Sequence, residues 1–593
     1  MARGLWLSAA AVVTFSVWTA ASAGHPFEWC GVKADYYNLL TDGFLAGHLY
    51  LRLAPVPELL ALPDPFDPVA NARYRVNDLS LYHGRFFLYF GPVPVLTLFL
   101  PWRVLTHSGM TESCAALIYV TAGYILSVLL LELLARRRMS HFGAAAVCVL
   151  GFGGYGVILL RDPGVYGVAI AAGYCFFMAG AYCFARVMTA GNPQPWLAAA
   201  AGVWIGLTFG CRPQYVLAAV VLSAVMILGR RRETIWFAVP VALCGILALW
   251  YNFARFGNVF EFGTSYQLTA RVSTRGITLH LRNIVPGLYY LLLCPPRLWD
   301  QFPYLVPRYV GPNPRLFVEN AVGLLVISPL AVAGLALPMW IRRCRTDRLI
   351  LVALYGSALA VLLFISLTGY AVGRYLLDFA PALLVVSMCG WLCWRRRGVA
   401  AVMIAGTLWT TAMGAALSLG FNDILRDRNP RLFRRLAHWS GQSGDSIRLP
   451  VDGLTVGATV RFPARPGATR EALLVTGRPG AEDCLFVEYA EADRVRFGYE
   501  KAVVGTTLGP EMTLARDREH RLGISYSGTG QRLSISIDGL TVWSGSAAFY
   551  PSSRNEVAIG RGPAAMADVR PFSGSLRALQ CKMYAAGHVY PVF

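Results

Sequence analysis

The chain has 593 residues, 56% of them hydrophobic and 15% charged, with a mean hydropathy of +0.49. Soluble proteins carry about 25% charged residues, and disordered chains are poor in apolar ones, so both classes are excluded. The net charge of +20 comes almost wholly from arginine, since the only lysines are Lys33, Lys501 and Lys582. The arginines cluster directly after apolar stretches: Arg136 to Arg138, Arg230 to Arg232, Arg342 to Arg348 and Arg395 to Arg397. That is the positive-inside pattern of a polytopic membrane protein, not a nucleic-acid groove. No GxxxxGK[ST] loop and no HExxH pair is present. The thirteen cysteines show no zinc spacing and lie mostly in apolar stretches. Cys484 and Cys581, in the tail, could pair if that region is extracytoplasmic.

In chain order, the expected spans are Leu5–Ala23, Cys114–Ala135, Phe142–Leu160, Val165–Ala185, Trp196–Cys211, Tyr215–Gly229, Ile235–Tyr251, Ala321–Ile341, Leu349–Leu367, Leu376–Trp394 and Val399–Leu419. The first also reads as a signal peptide, with Ala21-Ser22-Ala23 resembling a cleavage site. Phe86–Leu105 is apolar enough to cross, but a crossing would put every later arginine run outside. Pro92, Pro94 and Pro101 also break it as a straight helix. We therefore read it as interfacial or re-entrant. The resulting thread makes about eleven crossings, with the amino terminus cytoplasmic. Long outer loops run from 24 to about 112 and from about 252 to 320, and the tail lies outside.

Residues 421–447 read as a charged connector. From about 448 the apolar residues alternate, as in Leu454 to Val460. Leu533–Ile537 leads through Asp538-Gly539 into Leu540–Trp543, a hairpin signal. The tail is expected to be an antiparallel sandwich. The fold class is thus an α-helical polytopic membrane protein with a C-terminal all-β jelly-roll sandwich.

No acid or base falls near the centre of a span, where transporters keep theirs. Glu132 lies towards the inner end of its helix and Asp378 towards the outer end. The purposeful polar residues lie instead on the outer face. Asp42, His48 and His83 read as ordinary turn residues. Asp35, followed by Tyr36 and Tyr37, comes soon after a membrane exit, where a carboxylate can take a proton from an acceptor at the bilayer surface. Arg212-Pro213 sits at a tight outer turn. There a guanidinium can stop a helix and snorkel or grip a phosphate in a fork. Tyr251-Asn252 with Arg255-Phe256-Gly257, and Arg374-Tyr375 with Asp378, repeat this mixture of cation and aromatic. Singly, each also fits an interfacial belt.

These segments resemble the polytopic GT-C glycosyltransferases, a group that includes protein mannosyltransferases and the aminoarabinose transferase of lipid A. The resemblance spans about residues 5–419. It implies that Asp35 is the catalytic base. The acidic neighbour usual in the family is replaced by Tyr36, and Asp78 is the candidate second carboxylate. It implies a sugar donor carried on polyprenyl phosphate, with Arg212, Arg255 and Arg374 facing the phosphate. Tyr36, Tyr37 and Tyr375 are expected to line the substrate. Transfer in the family inverts the anomeric centre directly. A divalent metal is possible, but the sequence requires none. The acceptor would be a glycan, a lipid or a protein, the bilayer lipid is a partner, and nucleic acid is not. The tail resembles laminin-G-like and concanavalin-A-like jelly rolls at His520–Ile524, Ile537-Asp538-Gly539, Ile559-Gly560 and Phe572-Ser573-Gly574. That implies a glycan-binding module, or a spacer or lid. The domains expected are 1–420 catalytic, 421–447 connector and 448–593 sandwich, in the inner membrane. The rival readings are a flippase or transporter of a lipid-linked glycan and an anchored adhesion module.

The thread predicts that Ser140→Cys reacts with an impermeant thiol reagent only after lysis. In the same background, with competing thiols removed, Ser527→Cys should react in intact cells. The opposite pattern inverts the topology.

Overall fold

The computed structural model describes residues 2–22, 36–135 apart from 69, 72 and 73, 142–269, 279–298, 301–310, 316–343, 348–393, 397–421, 424–442, 447–464, 467, 469–490, 493–502, 504–516, 518–585 and 588–592. The chain divides into two compact units, Met1–Leu298 with Tyr304–Asn422, and Trp299–Pro303 with Asp423–Phe593.

The first unit makes this an integral membrane protein. Six described helices are long and apolar enough to span a bilayer: Gly4–Ser22, Glu112–Ala135, Gly164–Thr189, Thr234–Phe256, Arg348–Leu367 and Gly398–Gly420. In hydrocarbon the backbone must satisfy its own hydrogen bonds, and a helix does so within one segment. Gly164–Thr189 is buried on nearly every face. Thr234–Phe256 turns Trp236, Leu243, Leu247 and Trp250 outward, as a lipid-facing helix does. Shorter apolar helices accompany them, including Pro195–Leu207, Tyr215–Gly229 and Ala380–Cys393.

Two expected spans are broken. Phe142–Leu160 is interrupted after Gly143–Gly153, where Tyr155 adopts φ 70°, and only the turn Gly156–Leu159 follows. Ala321–Ile341 is a string of short turns, Leu324–Ile327, Pro329–Ala331, Val332–Leu335 and Leu337–Trp340. Pro329 and Pro338 each lack the N–H that a continuing helix would use, so each opens a new turn instead. Within Phe86–Leu105 the three prolines have the expected effect. The stretch begins in the strand Arg85–Leu88 and ends in the short helix Leu100–Thr106 after a wide turn at Val95–Phe99.

One buried cation ties this bundle together. Arg161 is wholly buried, and its Nε donates to the Ser418 carbonyl at 2.8 Å and its Nη1 to Ser22 Oγ at 2.7 Å. Its guanidinium lies 5.7 Å from the Trp18 ring. The first helix and Arg397–Gly420 therefore both meet the short 156–160 segment through one side chain.

The second unit holds two sheets. One has seven strands and the other six. Gly453–Arg461 buries alternate residues and lies between His520–Ser527 and Ser575–Ala585. Leu454, Val456, Ile524 and Ile535 from this sheet share one core with Leu485, Val487, Val495 and Phe497 from the other. Arg532–Ile537 pairs with Leu540–Ser546 through the expected two-residue turn, with Asp538 at φ 53° and Gly539 at φ 85°. Both central residues of that turn type need positive φ. Cys484 and Cys581 do not pair: both are free thiols, buried on different sheets and in different apolar clusters. Ile424–Arg428 and Pro430–Trp439, within the stretch read as a connector, are helices.

Asp483 is buried in this unit, accepting from the Tyr499 hydroxyl at 2.6 Å and from the Tyr550 N–H. Burial pushes its carboxyl up to about 6, against the pull of these donors. The folded state thus binds this proton more tightly than the unfolded one, so its stabilising effect is complete at low pH and lost as pH rises through about 6. A fragment of residues 424–593 should fold alone with a β-type circular-dichroism spectrum. Its melting temperature should carry a contribution that falls between about pH 4 and pH 6, and Asp483→Asn should flatten that slope.

Candidate functional site

The segment after the first helix begins, among described residues, with the helix Tyr36–Leu45. Its first residue, Tyr36, donates its hydroxyl to the Asn77 carbonyl at 2.7 Å. Burial, with Asp78 and Glu112 adding to it, pushes the Tyr36 phenol up to about 12, so at neutral pH it remains a donor. Asp78 follows Asn77 with φ 64°, and its N–H is held by the Leu268 carbonyl at 2.8 Å. A non-glycine residue in this region is uncommon and needs such support. The hairpin Leu79–Tyr82 and Arg85–Leu88 starts immediately after it.

Two side chains hold the Asp78 carboxylate. Gln267 Nε2 donates to Oδ1 at 2.9 Å, and the Tyr166 hydroxyl donates to Oδ2. Tyr166 lies in the first turn of Gly164–Thr189. The guanidinium of Arg374 lies over its ring, 4.4 Å from the centroid. One phenol therefore touches an acid through its oxygen and a cation through its face. A cation over the negative face of an aromatic ring is stabilised there.

Arg374 belongs to the turn Gly373–Asp378, which follows the short strand Tyr370–Val372. That strand pairs in parallel with Phe317–Ala321, which places Glu319 Oε1 at 2.9 Å from Arg374 Nη1. Gly373 makes the approach possible: a Cβ there would lie 2.0 Å from the Asn320 carbonyl oxygen and 2.4 Å from the Tyr155 hydroxyl. Burial works against the Arg374 charge, but Glu319 and Tyr375 raise its pKa above the ordinary value.

Tyr375 meets a second guanidinium. Arg212 lies 4.7 Å from its ring centroid and Arg374 5.9 Å. Arg212 Nη2 pairs with Asp378 Oδ2 at 2.8 Å, and Gln214 Nε2 donates to the same oxygen at 3.0 Å. The Asp378 side chain has no exposed surface and that of Arg212 is 12% exposed. Asp378 raises the Arg212 pKa against its own burial. Burial pushes the Tyr89 phenol well above its ordinary value, with Asp78 and Tyr375 adding to the shift and Arg374 and Arg212 opposing it.

Of the expected site residues, the structure thus gathers Asp78, Arg212, Arg374 and Tyr375, with Tyr36 bonded next to Asp78. Asp35 lies outside the described residues. Tyr37 is wholly buried, stacks on Phe99 at 5.2 Å and donates to the Val165 carbonyl at 3.3 Å. Arg255 forms a different network: it donates to the Leu88 carbonyl at 2.6 Å and to Asn252 Oδ1 at 2.8 Å, with its guanidinium 4.1 Å from the Tyr251 ring. It clamps its helix to the hairpin. Asp42 pairs with Arg103 at 2.7 Å on a partly exposed surface. Among the described residues, no cluster of three or more His, Cys, Asp or Glu side chains could hold a metal ion.

Tyr166, Gln267 and Glu319 escaped the sequence reading. Tyr166 is one aromatic in an apolar span, and the partners of Gln267 and Glu319 lie 189 and 55 residues away. No local spacing marks them.

No family model matches the chain, and no curated protein matches it. Solved structures do. The oligosaccharyltransferase AglB from Archaeoglobus fulgidus, in complex with an inhibitory peptide and a dolichol-phosphate, is 14% identical over 69% of this chain and 56% of its own, at a TM-score of 0.39. ArnT from Cupriavidus metallidurans, bound to undecaprenyl phosphate, is 12% identical over 75% of this chain and 82% of its own, also at 0.39. A heptameric SAP-like pentraxin from Limulus polyphemus is 12% identical over 22% of this chain, at 0.18, and the chain spans 64% of that pentraxin's length.

Removing one partner of a buried ion pair strands the other charge and costs about 3–5 kcal/mol. Arg212→Ala should therefore lower the melting temperature in detergent more than Arg374→Ala does, because Glu319 is 25% exposed and can turn to water. Equal losses would contradict this ranking.

Proposed function

We propose that this protein is a membrane glycosyltransferase that moves a sugar from a polyprenyl-phosphate donor to an acceptor on the outer face of the membrane. The observation that carries the reading is Tyr166, which joins the Asp78 carboxylate to the Arg374 guanidinium. Glycosyl transfer from a lipid phosphate needs these two kinds of group close together. The acceptor hydroxyl attacks the anomeric carbon while the bond from that carbon to the phosphate oxygen breaks. A carboxylate takes the hydroxyl proton. Cations stabilise the charge developing on the departing phosphate.

In this reading Asp35 is the base, as the family resemblance implies, and Asp78 is the second carboxylate. Arg374 and Arg212 face the phosphate, where a guanidinium fork matches its oxygens. Tyr36 and Tyr375 border the reacting groups. Arg255 keeps its candidacy as a phosphate ligand, and Tyr37 its candidacy on the substrate side. The donor arrives within the bilayer, so no nucleotide-binding loop is needed. The catalytic domain is assigned to 1–420. We place the amino terminus in the cytoplasm and the sandwich of 448–593 outside, as a glycan-binding module.

The test is transfer rate and donor binding on the same purified preparations, with a panel of polyprenyl-phosphate sugars. Asp35→Asn should lower transfer at least roughly 10²-fold and leave donor binding intact. Arg374→Ala should weaken both. If Asp35→Asn transfers at the parent rate and Asp78→Asn does not, Asp78 is the base. If neither variant affects transfer, the carboxylate mechanism is wrong.

A further inference from the structure

The helix Pro430–Trp439 carries two unlike faces. Phe433 and Ala437, four residues apart, are buried, and the Phe433 ring meets that of Phe302 at 5.0 Å. Arg431, Arg435, His438 and Trp439 fall on the other side and are exposed. From 424 to 442 the only acid is Asp427, against five arginines. The helix is firmly started, with Asn429 Oδ1 accepting from the Leu432 N–H at 3.2 Å and Pro430 in its first turn.

Trp439 is 79% exposed. An indole is amphipathic and favours the boundary between hydrocarbon and water. Here it stands in line with two arginines on the face that makes no core contact. The tether to the bilayer is short: Gly398–Gly420 is a candidate span, and Ile424–Arg428 is itself helical. We infer that Pro430–Trp439 is an interfacial helix whose exposed face docks onto anionic phospholipid headgroups of the surrounding bilayer. Arg431 and Arg435 contact the phosphates and Trp439 enters the headgroup layer, as in basic amphipathic helices generally. The buried face stays with the second unit, so the helix fastens that unit to the membrane surface. This is independent of the reaction the membrane unit performs.

The test uses the full chain in nanodiscs of phosphatidylcholine alone and of phosphatidylcholine with phosphatidylglycerol. Hydrogen exchange is followed on peptides covering 429–440, with His520–Ser527 as an internal reference for the folded sheet. Exchange in 429–440 should be slower in the anionic discs, and the slowing should fade at high salt. Arg431→Gln and Arg435→Gln should each weaken surface association about fivefold, and Trp439→Ser should weaken it in both lipids. Equal exchange in the two disc types, with the reference strand protected, overturns the inference. So does protection that survives in the Arg431→Gln/Arg435→Gln double variant. Protection produced by added polyglutamate or oligonucleotide but not by phosphatidylglycerol would assign the face to an acidic macromolecule instead and equally overturn it.

Discussion

A carboxylate removed from water keeps its charge only with a cation or hydrogen-bond donors beside it, and Asp378, wholly buried, has both in Arg212 and Gln214, so it fixes where these two have to be. The rest of the cluster is built around that constraint. Asp378 closes the same turn that carries Arg374 and Tyr375. Anchoring one end of the turn to Arg212 and Gln214 sets the direction in which the other end presents its guanidinium. Tyr375 then lies near both guanidiniums, and Tyr166 receives the second of them. Two arginines can sit close together here because each has its own carboxylate, Asp378 or Glu319, and its own ring.

In the reaction proposed above, negative charge appears on a lipid phosphate. Fixed dipoles and charges in a water-poor site act more strongly than they would in solvent. Cations already paired need no rearrangement to stay in place, and each guanidinium has five N–H donors, of which a carboxylate takes only one or two. The acid at the other end of Tyr166 is restrained in the same way, by Gln267 and by its own backbone contact with Leu268.

Much of this was legible in the sequence where the physics is local. Unbroken apolar runs marked the six long apolar helices among the described residues, and alternation with Asp538-Gly539 marked the hairpin at the residues where it occurs. The segment from Arg374 to Asp378 could be singled out because its charged and aromatic residues share one turn. The reading weakened wherever the decisive partner is distant in the chain. Tyr166 reads as a span aromatic until the fold brings Asp78 to its hydroxyl. Ala321–Ile341 is apolar enough to cross, yet its prolines and the close approach of Gly334 to the Leu383 carbonyl turn it into packed short turns. Arg255 and Tyr37 have the composition of site residues, but each donates to a distant main-chain carbonyl, Leu88 or Val165, which no spacing announces.

The parallel pairing of Phe317–Ala321 with Tyr370–Val372 links two distant parts of the chain mechanically. Glu319 stands on one strand, and the turn bearing Arg374 grows from the other. The counter-charge and the cation are thus geared together by backbone hydrogen bonds. The strand Phe317–Ala321 cannot slide along Tyr370–Val372 without shifting Glu319 against Arg374. Position of the strand and strength of the local field are one variable, so a displacement of Phe317–Ala321 would retune the charge around Arg374 without touching Arg374 itself.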